Sequence, residues 1–207
     1  MVARNNILSH TIKNRFRGFL PIVVDVETAG IDPQKNALLE MCIVLLDMDE
    51  QGFLKRGESY FEHILPFPDA ELDQKSLEFN QIDPYQPLRF AVDEQIALER
   101  LFKPIHDSLK KNRCQRAVLV GHNAWFDLLF IKAAINRTGI KSPFHAFTCF
   151  DTATLAGLIF GETVLAKAAQ AAGLSFDSQE AHSAIYDAEK TADLFCFMVN
   201  KWRMMCL

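Results

Sequence analysis

The chain has 207 residues, 49% of them apolar, and 26 acidic against 22 basic side chains give a net charge of −4. That length supplies one sizeable core and is short for two, so 1–207 reads as a single domain with a basic arm over 1–17 and a core over about 18–205. No apolar run is long enough to cross a bilayer, and the polar, basic start argues against a secretory leader.

After the basic arm, the apolar run over 21–26 predicts the first strand. "ALLEMCIVLLDMDEQGFL" predicts a second strand turning at 49–52, and "SYFEHILPF" alternates enough for a third, making an antiparallel meander. A Pro-rich, acidic stretch over 66–87 holds one short helix, "KSLEFNQI". A helical period runs over 93–112, with Asp93 as a suitable N-cap. "RAVLVGH" is a short apolar strand, followed by a helix over about 125–138. Further helices are expected over 152–159 and 165–172, and a long one over 183–204 after a loop. This order predicts an α/β fold, a central mixed β-sheet flanked by helices.

"VVDVETAG" sets two carboxylates, Asp25 and Glu27, two residues apart among valines. Residues i and i+2 of a strand share a face about 7 Å apart, so both acids lean the same way and repel. "GHNAWFD" places Asp127 where a helix begins after the apolar strand. "EAHSAIYDAEKTADLF" places Asp187 in the opening turns of the last helix, with His182 five residues earlier. Five helical residues turn about 140° net, which puts His182 in the preceding loop and Asp187 on the helix.

Taken singly, each residue has an ordinary reading. Asp-x-Glu suits the wet face of an edge strand, Asp127 and Asp187 suit helix caps or first turns, and a lone histidine is commonly a satisfied one. Taken together they require more. Two carboxylates at about 4 Å repel by about 4 kcal/mol at an effective dielectric near 20, so four share a cleft only around cations. All-oxygen ligands select Mg²⁺ or Mn²⁺ over zinc. Two such ions about 4 Å apart suit in-line displacement at a phosphodiester, with a histidine near the water as general base.

Charge is segregated along the chain. Residues 1–20 carry +4, residues 103–116 carry +4 and residues 128–142 carry +3, which leaves −15 for the rest. Segregation of this kind suits a polyanion docking on one surface while chemistry proceeds on another; ordinary solvated faces pointing in different directions account for it equally well. Cys42, Cys114, Cys149, Cys196 and Cys206 are scattered without a C-x-x-C, so the thiols read as reduced and the chain as cytoplasmic.

The ordered acids, with His182 followed by four residues and then Asp187, resemble the histidine branch of the DEDD 3′→5′ exonucleases, whose fold is similar to ribonuclease H. Ser183 stands where the tyrosine branch has Tyr. "RFRGFLPIVVDVETAG", "FNQIDP", "GHNAWFD", "FHAFTCFDTATLAG" and "FDSQEAHSAIYDAEKTADLF" resemble, in order, segments of the ribonuclease T family, over about 15–202. The resemblance implies a cytoplasmic bacterial exoribonuclease that trims 3′ ends of tRNA and other stable RNAs. It also implies action on single-stranded DNA ends, release of 5′-mononucleotides, and use of two Mg²⁺ per subunit, or Mn²⁺. It carries the metal role to Asp25, Glu27, Asp127 and Asp187, and the base role to His182. Phe79, Phe126 and Phe147 match aromatics that stack on terminal bases, and stacking of this kind tolerates any base; core packing is the commoner fate of a phenylalanine.

Family members are homodimers in which a basic patch of one subunit feeds RNA to the other's cleft, and Arg15, Arg17, Lys110, Arg116 and Lys141 match that patch. Two positions depart from the pattern. Ile31 replaces a further stacking aromatic and Lys75 replaces a glutamate that helps read the terminal base; both bear on terminal-base preference and leave the metal chemistry alone. Two rival readings are a proofreading DNA exonuclease beside a polymerase and a catalytically silent nucleic-acid-binding fold. The first should carry a tethering tail, whereas this chain ends shortly after its last helix; the second follows loss of a ligand, and all five motif residues are present.

Overall fold

The computed structural model of the chain describes residues 6–177 and 183–206. Five strands form one sheet: β1 (Phe19–Thr28), β2 (Leu38–Met48), β3 (Leu54–His63), β4 (Arg116–Gly121) and β5 (Phe144–Asp151), in the order β3-β2-β1-β4-β5. The first three are antiparallel neighbours, and β4 and β5 run parallel to β1, so the sheet is mixed as the sequence predicts. Central β1 is apolar almost throughout because helices cover both faces; Leu20, Ile22, Val23 and Val24 are fully buried.

The helices are α1 (Ile12–Arg15), α2 (Gln74–Asn80), α3 (Glu94–Lys111), α4 (Trp125–Thr138), α5 (Thr152–Phe160), α6 (Leu165–Ala171) and α7 (Ala184–Cys206). Helix α7 lies across β1, β2 and β3. Ala184, Ala188 and Ala192 recur every fourth residue on its buried stripe, and their small side chains let its axis approach the sheet. Polar anchors fix its register. Arg56 of β3 pairs with Glu189 and with Asp193, the latter at 3.1 Å. Farther along, Asn200 hydrogen-bonds both backbone groups of Leu54 at 2.8 Å. Arg203 donates to the carbonyls of Ile7, Ser9 and Gln51 at 2.7–3.0 Å.

Two expectations change. The core begins earlier than residue 18: Ile12, within the basic arm, is buried in it, and the chain before Ile12 is held by Arg203. Strand β5 had no sequence signal because most of its side chains are exposed or half-buried at an edge, where apolar alternation is lost. Its register is also broken, with four residues opposing Val118 between the pairs Ala117–Phe144 and Leu119–Cys149.

Candidate active site

The acids gather where β1 and β4 end, the end of parallel strands at which open α/β sheets bind ligands. Asp25 and Glu27 point to the face that α7 covers, and Asp187 descends from the first turn of α7 to meet them. One oxygen from each of these three carboxylates lies within 4.8 Å of the others. Asp127, buried in the first turn of α4, approaches from the β4 side. The β1–β4 ladder stops at Val23 and Val120, and beyond it the Val26 amide donates to Asp127 Oδ1 at 3.1 Å. The turn leading to Asp127 requires Gly121: a Cβ there would stand 3.0 Å from Asp127 Oδ2 and 3.1 Å from Ala124 Cα. The structure therefore brings the four sequence-predicted acids to one place; His182 lies outside the described residues.

Three of the four acids have raised pKa values, with burial the largest cause in each. Burial first, then Asp127, Glu27, Asp187 and Glu40, push Asp25 well above the usual carboxylate range. Burial, then Asp187, Glu40 and Asp127, raise Glu27 to about 8. Burial raises Asp127 to about 8 although backbone N–H donors oppose it. Acids that resist ionisation in one another's company fit a hard divalent cation, whose oxygen preference and charge answer both problems.

Beside Glu27 a groove of about 360 Å³ is lined by Ile31, Lys75, Phe79 and Phe126. Phe79 is 61% and Ile31 84% exposed, so both present apolar surface to a ligand. Helix α2 carries Phe79 and is seated by Leu77 over the Ala29–Leu39 cluster, by Asp73 capping its first turn, and by Asn80 donating to Thr28 O at 3.1 Å. Phe126 packs on Phe130 at 4.9 Å between ring centroids. Phe147 is elsewhere: it lines a second concavity with Arg116, Lys132 and His145, beyond the β4–β5 edge.

The basic residues collect at the opposite end of the sheet. Arg17 lines a hollow with His10, Lys13 and Gln115, and Arg116 pairs with Phe19 at the start of β4. Lys110 ends α3 just before β4, and Lys141 precedes β5; both are exposed. Arg15 is half-buried with its guanidinium 5.5 Å from the Phe16 ring, and burial, then Arg203, lower its pKa. Phe19 and Asp25 are six strand residues apart, so patch and acids of one chain are separated by about 20 Å.

Residues 22–195 match the RNase_T exonuclease family. Ribonuclease T of Marinobacter nauticus is 57% identical over 195 residues, spanning 94% of this chain and 88% of that protein. The chain belongs to the ribonuclease T family. As a member of the ribonuclease T family it is a hydrolytic exoribonuclease. The sheet and helices superpose on a 3′-exonuclease solved in recognition of a histone mRNA stem-loop, with a TM-score of 0.68 and 16% identity over 87% of this chain and 63% of that one. Escherichia coli exonuclease I with a dT13 oligonucleotide gives 0.66 and 16%, covering 89% and 42%. The fold is therefore the ribonuclease H-like exonuclease fold.

Sequence reasoning missed the residues that support the acids of this ribonuclease T family enzyme. Glu40 is the β2 register partner of Glu27 and is held by His63 at 3.0 Å and Arg89 at 3.5 Å. A glutamate inside an otherwise buried strand, "LLEMCIV", was the available signal. Asp151 ends β5 and caps α5; its Asp-Thr-Ala-Thr setting is a recognisable N-cap. Burial alone would raise its pKa, but hydrogen bonds from Thr154, Ala124 and Asn123 outweigh that and hold it below the ordinary value.

Proposed function

We propose that this enzyme trims 3′ ends of tRNA and other stable RNAs, and single-stranded DNA ends, one residue at a time, releasing 5′-mononucleotides. The observation that carries the reading is the convergence of Asp25, Glu27 and Asp187 beside a groove walled by Phe79 and Phe126. A terminal base stacks between apolar walls without base-specific contacts, which suits varied ends. Asp25, Glu27 and Asp187, with Asp127 behind them, would hold two Mg²⁺ per subunit, or Mn²⁺. Divalent ions supply acidity for an attacking water and positive charge opposite the leaving oxygen. His182 takes the proton from that water, and Ile31 and Lys75 tune which terminal base is preferred.

The distance between patch and acids supports a homodimer. A strand bound at Arg15, Arg17, Lys110, Arg116 and Lys141 lies about 20 Å from the acids of its own chain, so a partner's cleft is the nearer target when two copies pack head to tail. The chain acts as a single catalytic domain in the cytoplasm, a reading supported by five cysteines scattered without a C-x-x-C.

The test is hydrolysis of one RNA labelled at its 3′ or its 5′ end, with Mg²⁺ or with EDTA. Labelled mononucleotide at once from the 3′-labelled strand, a descending ladder from the 5′-labelled strand and silence in EDTA are expected. Mononucleotide released first from the 5′ label, or turnover in EDTA, would overturn the reading.

A further inference from the structure

Helix α4 carries both Phe126 and Asp127, yet it begins without a cap of its own. Ala124 occupies the N-cap position and offers no side-chain acceptor, and Asn123 before it is left-handed with φ of 66°. The amides at a helix mouth need acceptors because the helix itself offers them none. Here they find one on another element. Asp151 Oδ1 accepts from Asn123 N at 2.8 Å and from Ala124 N at 3.2 Å. Its other oxygen, Oδ2, accepts from Thr154 N at 3.0 Å and from the Thr154 hydroxyl, capping α5.

One carboxylate thus staples the starts of two helices together. The register favours it, because Gly121 and Asp151 are partners at the ends of β4 and β5. A second strap lies alongside: the Thr152 hydroxyl donates to Gly121 O at 3.1 Å and sits 3.0 Å from His122 Nδ1. What the staple holds is the turn over 121–124. That turn sets α4, since Phe126 N donates to Asn123 O at 2.9 Å and Leu128 N to Ala124 O at 3.1 Å. It also sets Asp127, whose Oδ2 stands against Gly121. Asp151 is not one of the three clustered carboxylates.

We propose that Asp151 is a positioning residue: by capping α4 from the end of β5 it fixes where Asp127 presents its oxygen to the metal site and where Phe126 meets the terminal base. The inference rests on the proposed metal role of Asp127. A purely structural role predicts something different, a lower melting temperature from an uncapped α5 with metal affinity intact.

The experiment titrates Mn²⁺ into the full chain by calorimetry for wild type, Asp151→Ala, Asp151→Asn and Thr154→Val, with amide exchange followed at Asn123 and Ala124. Asp151→Ala is expected to weaken Mn²⁺ binding about 10- to 100-fold, the usual effect of removing an outer partner, and to speed exchange at both amides. Asp151→Asn keeps the Oδ1 acceptor and the isosteric shape, so it recovers most of the affinity and the protection. Thr154→Val removes only the hydroxyl that donates to Asp151 at the start of α5, and binds Mn²⁺ as wild type does. Wild-type affinity in Asp151→Ala, failure of Asp151→Asn to restore it, or an equal loss in Thr154→Val would each overturn the inference. Absence of Mn²⁺ binding by the wild type would instead overturn the metal reading, and this inference with it.

Discussion

Glu27 on β1 and Glu40 on β2 stand opposite each other in the antiparallel ladder. Like charges so placed destabilise a sheet. Glu40 pairs with Arg89 and hydrogen-bonds His63, whereas among the described residues no ion pair forms to Glu27, whose pKa burial, then the neighbouring carboxylates, raise to about 8. The strand pair is therefore built for a charge that arrives from outside.

That imbalance gives the first prediction. Glu27→Gln removes the repulsion and leaves the shape, so in EDTA the variant should melt a few degrees higher than wild type, about 2–4 °C per kcal/mol for a chain of this size. Its hydrolysis should fall by several orders of magnitude even at high Mg²⁺. A melting curve with and without chelator, beside single-turnover cleavage, checks both halves. A variant destabilised in EDTA would mean that Glu27 is held by the fold alone.

The pH dependence follows from the same groups. Glu27 and Asp127 sit at about 8 in the fold against ordinary values of 4.5 and 3.8. Both are raised, so their contribution to stability is full below about pH 4 and is lost as pH rises toward 8, by up to about 1.4 kcal/mol per pH unit for each group. The chelated protein should therefore lose stability between pH 5 and 8. Cation binding must displace those protons, so the rise in melting temperature on adding Mg²⁺ should grow from pH 6 to 8.5. A Mg²⁺ effect that is flat across that range would show that neither carboxylate titrates with the metal.

Much of this was legible because the informative residues lie in elements with strong local patterns. Asp25 and Glu27 interrupt an apolar strand, and Asp127 and Asp187 open helices that periodicity alone defines, so four acids from three separate segments could be assigned to one cleft. What escaped depended on register. Glu40 becomes a neighbour of Glu27 only through the β1–β2 pairing, and Arg89 reaches it from an isolated turn over Pro87–Arg89. Strand β5 carries no alternation, so neither the Phe147 concavity nor the place of Asp151 beside Gly121 could be read without the fold.

The proposed homodimer predicts complementation between two damaged copies. Neutralising Arg17 and Arg116 together should weaken RNA binding and reduce the slope of log affinity against log salt by about 0.7–0.9 for each phosphate left without its cation. Turnover at saturating RNA should survive. Asp25→Asn should bind RNA and not cut it. In a refolded mixture, hybrid dimers would join the intact patch of the Asp25→Asn subunit to the intact cleft of the other. Cleavage at low RNA concentration should then exceed the sum of the two homodimers. If mixing adds nothing while hybrids are demonstrably formed, each cleft is served by its own patch.

Phe126 and Phe147 both match stacking aromatics in sequence, and the structure separates them. Phe126 shares its groove with Glu27, and Phe147, 79% exposed, shares a concavity with Arg116 beyond the edge of the sheet. Substrate length should therefore distinguish them. Phe126→Ala removes a stack worth about 1–3 kcal/mol at the terminal base, so kcat/KM should fall roughly 5- to 150-fold on a trinucleotide and on a long RNA alike. Phe147→Ala should leave the trinucleotide unaffected and weaken only RNA long enough to reach the basic surface, in the manner of Arg116→Ala. The check is kcat/KM for both variants on the two substrates. Equal losses on the trinucleotide would place Phe147 at the terminal nucleotide, and would require β5 to bend toward Glu27 when a strand is bound.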